Sequence, residues 1–471
     1  MSLPPDAVES LAKLDVEHLL LPVLVQLAVI IAAARAFGAL ARKVGQPSVV
    51  GEIAAGLILG PSLFGWLFPE LFGAVFRPPL AGVEQPLADA TLPKIFTVIA
   101  QFGLIFLMFL VGLEFEFDHV RTHARSAVLI SLIGIVVPFA LGAALAQLIH
   151  PHLEPHPKAG PVSLLGLTLF LGVALSITAI PALGRIMLEL NITRTRLGAI
   201  TITAAAVDDA IGWILLASIT AVVKSNFDPL ETGRMVGLTV AFALLMWFAV
   251  RPVLVRYFAY SLRANGGKLS ATALAVLLVS VLLASIATNL IGIFAVFGAF
   301  LLGAVLSDQE ELREAAHAKL RDIVTSFFVP VFFTYTGLQT DVAALHGATM
   351  WLICAALVVV AVAGKLAGCG LAARASGFTW KEAGIIGAMM NTRGLMALIA
   401  INIGYHQLGV VPRSLFCMLV IMALTATALT TPLLLWLRKG TELDEPINSS
   451  GFLANDRRAP AETAPTERRG T

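Results

Sequence analysis

Two adjacent carboxylates, Asp208 and Asp209, sit in the run Thr203-Ala-Ala-Ala-Val-Asp208-Asp209-Ala-Ile-Gly212, near the middle of a long apolar stretch. An ionised aspartate at mid-membrane depth costs about 2.5 to 3.5 kcal/mol, so a pair of them points to ion or proton handling. Neighbouring positions on an α-helix differ by about 100° in azimuth; the two side chains cannot aim at one point and need different partners. Ala205, Ala206 and Gly212 lie one turn from Asp209 on its face and leave room for a crossing chain and an ion. The lysine deep in an apolar stretch is Lys365, in Gly364-Lys365-Leu-Ala-Gly368, whose small-residue spacing admits a close neighbouring helix. These residues predict an Asp208–Lys365 ion pair that leaves Asp209 free to alternate between a proton and a cation. The alternative is a structural lock between helices made by all three charges.

Two further places could supply ligands. In Ser176-Ile-Thr178-Ala-Ile180-Pro181 a proline removes an amide donor and frees the carbonyl of Ile177, while Ser176 and Thr178 add hydroxyl oxygens. In Met390-Asn391-Thr392-Arg393-Gly394 polar, charged and glycine residues interrupt another apolar stretch. Paired interruptions in corresponding positions of two halves mark a transporter site, where half-helix ends and unwound carbonyls meet. Thr178 and Thr392 are 214 residues apart, and each interruption is followed by one continuous span, which predicts an inverted repeat. Weaker candidates are Glu52 and Glu114, read as solvated interfacial charges in preference to vestibule groups, and His150, His152 and His156 with Glu154, read as a solvated loop in preference to a pH sensor or metal site.

The elements that must position these groups are membrane helices. Of 471 residues 58% are hydrophobic and 13% charged, and mean hydropathy is +0.88. Soluble domains carry about a quarter charged residues. Continuous apolar runs of about 20 residues exclude a singly anchored soluble enzyme and disfavour a porin-type barrel. The runs predict an all-α membrane protein of thirteen helices, at 18-36, 48-66, 95-114, 125-149, 162-185, 197-223, 234-258, 270-288, 289-307, 322-338, 348-373, 380-406 and 411-437. With the N-terminus outside, nineteen Lys and Arg fall in inner loops and seven in outer segments, which favours N-out and C-in. Residues 1-17 read as an extracytoplasmic segment that is not a cleaved signal, and 440-471 as a disordered cytoplasmic tail. A net charge of +2 implies no nucleic acid, Cys354, Cys369 and Cys417 lack metal-ligand spacing, and no nucleotide fingerprint follows a strand-like run. No cofactor is expected.

Gly45-Gln-Pro47, Gly51-Glu52-Ile, Gly56-xxx-Gly60-Pro61-Ser62, Phe109-Leu-Val-Gly112-Leu-Glu114, Ala174-Leu-Ser176-Ile-Thr178-Ala, Val207-Asp208-Asp209, Phe332-Phe333 through Gly337-Leu338 and Asn391-Thr392-Arg393-Gly394-Leu395 together resemble the monovalent cation:proton antiporter-2 family of bacterial membrane transporters. The resemblance covers nearly the whole membrane region. It implies a homodimer whose protomer has a dimerisation domain from helices 1 to 3 and 8 to 10 (18-114 and 270-338), a core from helices 4 to 6 and 11 to 13 (125-223 and 348-437), and a linker helix at 234-258. It implies that Asp209 carries the ion, that Asp208 pairs with Lys365, and that an Asp-Asp pair goes with electrogenic exchange. The chain departs from the family in lacking a histidine within Gly292–Gly298 and in having Ala397 where relatives often have Glu.

The expected function is therefore secondary transport at an inner membrane, in which a monovalent cation (Na+ favoured, K+ possible) is exchanged for H+ by alternating access. Asp209 and Thr178 are the expected cation ligands, with Ser176 and Asp208 beside them. A cation channel or K+ efflux protein of the same fold is the alternative. An intramembrane aspartyl hydrolase is remote, because two catalytic acids must flank one bond and Asp208 and Asp209 diverge. No enzymatic activity is expected.

Overall fold

The computed structural model describes residues 16–44, 46, 48–79, 85–113, 124–192, 195–225 and 228–450. Among them the chain is all-helical, apart from an isolated bridge between His156 and Gly160. In chain order the helices are α1 (Val16–Lys43), α2 (Ser48–Leu59), the short α3 (Phe64–Leu67) and α4 (Pro69–Phe76), α5 (Gln85–Leu113), α6 (Ala124–Ile149), α7 (Leu164–Ser176), α8 (Ile180–Glu189) and α9 (Arg196–Lys224). They continue with α10 (Pro229–Leu245), α11 (Arg251–Ala264), α12 (Ala271–Ile291), α13 (Ala295–Leu306), α14 (Glu310–Ile323), α15 (Val329–Leu338), α16 (Gly347–Ala375), α17 (Trp380–Met390), α18 (Leu395–Ile403), α19 (Arg413–Leu437) and α20 (Asp444–Ser449). Ten helical stretches among the described residues are long and apolar enough to cross a membrane; α7 and α13 are shorter apolar helices.

The segments at 162-185 and 380-406, expected to be interrupted at 176–181 and 390–394, are each two helices. Residues 177–179 separate α7 from α8, and 391–394 separate α17 from α18. Pro181 falls in the first turn of α8, where its missing amide has no helical acceptor to serve. The boundary expected at 288/289 lies four residues later, because Gly292 adopts φ +103 and ends α12 in a left-handed cap. The expected 234-258 helix is longer: α10 runs through one π-turn into α11 over Pro229–Ala264.

Glycines set the packing. A Cβ on Gly56 would lie 2.0 Å from the Thr334 carbonyl oxygen, and one on Gly337 2.4 Å from that of Ile53, so α2 and α15 touch backbone to backbone. Gly112 and Gly303 join α5 to α13 in the same way. The helices α1, α2, α5, α12, α13 and α15 pack in one group, and α6, α7, α9, α16, α17 and α19 in another.

Three sequence expectations are corrected. Glu52 is buried, because α2 is pressed against α15 and its own carbonyl accepts from the Thr334 hydroxyl at 3.0 Å. The histidine loop is not simply solvated: His156 is buried, its Nε2 lies 2.9 Å from the Tyr405 carbonyl, and its Nδ1 accepts from the amides of Lys158 and Ala159. Residues 440–450, expected to be disordered, fold back on the start of α9. There Leu443 and Ile447 are buried and Glu442 Oε1 accepts from the Leu197 amide at 2.6 Å. Glu114, Gly45, Pro47 and 451–471 lie outside the described residues.

Candidate functional site

The two interruptions cross each other. The Ala179 amide in the first donates to the Thr392 carbonyl in the second at 3.0 Å, and the Thr178 hydroxyl donates to the Met390 carbonyl at 2.9 Å. A Cβ on Gly394 would meet the Ala182 Cβ at 3.1 Å, a tight contact that a glycine avoids. Breaking a helix leaves its last carbonyls without amide donors. At the end of α7 one buried side chain serves them: Arg393 Nη1 donates to the carbonyls of Ile177 (2.7 Å) and Ala174 (3.2 Å), and Nη2 to that of Leu175 (2.5 Å). Its cation sits at the negative end of that half-helix, the favourable end for positive charge.

Residue 393 is fixed by α19, where the Thr427 hydroxyl accepts from its amide at 3.1 Å and donates to its carbonyl in a short bond. Asn391 donates to the Ala426 carbonyl at 3.1 Å, and Thr392 turns its hydroxyl back to the Met389 carbonyl at 2.7 Å.

α9 lies against this crossing. A Cβ on Gly212 would approach Met396 Cε of α18 at 3.0 Å and Ile177 Cγ1 of the first interruption at 3.3 Å. The carboxylates divide as their azimuths require. Asp208, 0% exposed, receives Lys365 Nζ at 3.1 and 3.2 Å and the Thr178 amide at 2.7 Å. Lys365 is also 0% exposed, on an α16 brought close to α6 at Gly364 and Gly368. Asp209 is 2% exposed and has no basic partner among the described residues.

Of the other residues expected around Asp209, Thr178 is bonded through its amide to Asp208 rather than to Asp209. Ser176 turns its hydroxyl to the Val173 carbonyl of its own helix at 2.9 Å. Thr427 and the carbonyl-binding role of Arg393 were not visible from sequence. Thr427 looks like any other helical threonine, and only the polarity of the Asn-Thr-Arg-Gly run signalled that a break was near.

A cavity of about 330 Å³ lies between α5, α12, α13 and α18. Four carboxamides, Gln101, Asn289, Asn402 and Gln407, line it together with apolar groups that include Phe294 and Ile399. Asn402 Nδ2 donates to the Leu398 carbonyl at 2.9 Å and to the Thr336 hydroxyl at 3.3 Å, which leaves its side-chain oxygen for other donors or a cation.

Buried charge at two crossing helix breaks is an arrangement built to hold ions within a membrane. Known proteins resemble the chain over most of its length. The chain is 38% identical over 427 residues to the Na(+)/H(+) antiporter NhaS4 of Synechocystis, covering 89% of this chain and 98% of that protein. It is 33% identical over 419 residues to cation/H(+) antiporter 17 of Arabidopsis thaliana, across 89% of this chain and 48% of that longer protein. The structure of the sodium proton antiporter MjNhaP1 from Methanocaldococcus jannaschii superposes with a TM-score of 0.61 at 14% identity, over 89% of this chain and 99% of that one, which shows a common fold. The family model for the transmembrane sodium/hydrogen exchanger matches residues 28–436, and the chain is accordingly a multi-pass membrane protein of the sodium/hydrogen exchanger family of monovalent cation:proton antiporters.

Proposed function

We propose that the protein exchanges Na+, with K+ as a second substrate, for H+ at a single site centred on Asp209, open to one side of an inner membrane at a time. The observation that carries the reading is the unequal treatment of the two acids: Asp208 is neutralised by Lys365 and held by the Thr178 amide, whereas Asp209 is buried with no basic partner among the described residues. A carboxylate out of water needs a proton or a cation to neutralise it, and one group cannot hold both. Mutual exclusion at Asp209 is thus the coupling. The Thr178 hydroxyl, which donates to Met390, keeps oxygen lone pairs for a cation, and unwound backbone near the crossing supplies further oxygens.

The two crossing interruptions favour an inverted repeat around helix 7, here α10 and α11. The two packing groups favour a mobile core (α6–α9 and α16–α19) working against a fixed dimerisation domain in a homodimer. The N-terminus is outside and the C-terminus inside, following the lysine and arginine bias. The resemblance of the Asp-Asp pair favours electrogenic exchange, which needs a second proton besides the one at Asp209, and we assign that proton to the Lys365 ammonium, released when its pair with Asp208 opens.

Purified protein in proteoliposomes with an imposed pH gradient tests the reading. Added Na+ or K+ should drive counter-movement of protons, and a membrane potential should change the rate. Asp209→Asn should abolish the movement while the protein still elutes as a folded particle. Cation current without proton movement would identify a channel instead.

A further inference from the structure

We infer that Trp213 is a positioning residue for the proton and cation exchange at Asp209, its indole N–H serving as the donor that holds the ionised carboxylate during the part of the cycle in which that carboxylate binds no proton. Trp213 is one turn beyond Asp209 on α9 and is 2% exposed. Positions i and i+4 share a helix face. The indole lies within reach of the Asp209 carboxylate without meeting hydrogen-bond geometry, and Nε1 has no other partner among the described residues. Buried donors are paired in the great majority of native structures, and an orphan one calls for a reason. A donor that meets its acceptor in only one state of a cycle is such a reason.

A second contact fixes where the donor sits. The indole stacks on Phe300 of α13 at 5.7 Å between ring centroids and 28° between planes. The ring therefore bridges the helix that carries the acid and a helix of the other packing group. If the core moves past α13, the tilt of the indole, and with it the reach of Nε1 to Asp209, changes with the movement. Few other groups can imitate this. Asp208 is engaged with Lys365 of α16, and Arg393 with carbonyls at the end of α7. Neither α7, α13 nor α18 carries a titratable side chain.

The inference rests on Asp209 being the exchange site, and the test separates the two. Trp213→Phe keeps an aromatic ring against Phe300 and removes only the donor. Exchange is measured in proteoliposomes across pH and cation concentration. A charge-assisted bond lost from the anion moves the half-maximal pH upward by about one unit, and weakens apparent cation affinity up to about tenfold at fixed pH. Phe300→Leu, which removes the stack but not the donor, should slow exchange and shift the pH midpoint by less than half as much.

If Trp213→Phe does not fold, site-specific replacement of Trp213 by β-(3-benzothienyl)alanine removes the N–H in a ring of nearly the same shape and should give the same shift. A wild-type pH midpoint in the donorless protein overturns the inference, as does an equal shift in Phe300→Leu. Absence of coupled exchange in the wild-type protein would instead overturn the assignment of Asp209.

Discussion

Removing the ammonium at Lys365 exposes how the two acids differ. In Lys365→Met, Asp208 keeps the Thr178 amide at 2.7 Å but loses both contacts from Nζ, at 3.1 and 3.2 Å, in a place where neither partner is exposed. Breaking a buried ion pair from one side costs about 3 to 5 kcal/mol, since the remaining charge has no compensation, whereas removing both charges is often close to neutral. Asp208→Asn, which strands the lysine, should cost about as much by the same reasoning. Independent effects would sum to about 6 to 10 kcal/mol in the double variant. A true pair leaves the double variant within about 3 kcal/mol of wild type, a coupling energy of at least about 3 kcal/mol. Reversible unfolding of the four proteins in bicelles, followed by steric trapping, measures the cycle. Additive losses, with the double variant the least stable of the four, would refute the assignment of Asp208 as the neutralised partner.

Other consequences are equally direct. Arg393→Lys keeps the charge but cannot reach the carbonyls of Ala174, Leu175 and Ile177 together, so unfolding measurements should show a loss of about 2 to 4 kcal/mol; an unchanged stability would remove the carbonyl-binding role. Gly56→Ala places a methyl 2.0 Å from the Thr334 carbonyl oxygen, and its yield of monodisperse protein should collapse, while Gly73→Ala, with open space around its Cβ, should behave as wild type. His156 has its ionisation lowered from the usual value of 6.5, first by burial, against the opposing bond from Nε2 to the Tyr405 carbonyl and with the Lys158 charge adding to the lowering; Nδ1 accepts two amides. The unfolded chain therefore takes up a proton before the folded one. The loop's contribution to stability is complete above about pH 6.5 and is lost as pH falls towards the lower folded value. Hydrogen exchange of residues 150–163 should be faster at pH 5.5 than at pH 8 after correction for intrinsic rates, and equal protection would contradict this.

The sequence exposed those parts of the site that membrane burial makes expensive. Asp208, Asp209 and Lys365 stand out because an apolar helix has no structural use for them, and Pro181 and the Asn-Thr-Arg-Gly run stand out because they break one. Gly212, Gly364 and Gly368 signalled close approach, and each lies against a neighbouring element. What stayed hidden depends on where the chain returns from a distance. His156 is buried only because Tyr405 comes back beside it, and Leu443 and Ile447 are buried only because 440–450 doubles back on α9. Local polarity at both places resembles that of solvated loops. Trp213 was hidden for another reason: an aromatic residue in a membrane helix is ordinarily packing, and only its orphan N–H distinguishes it.

Proton release on cation binding tests the central claim most directly. Purified protein in a weakly buffered detergent solution, with a pH indicator, is mixed with Na+ or K+ near the pH at which exchange is half-maximal. The account predicts that protons appear in solution with wild-type protein, and with folded Asp208→Asn, but not with Asp209→Asn. Equal release from the Asp209→Asn variant would place the competition between proton and cation at some other group and contradict the account.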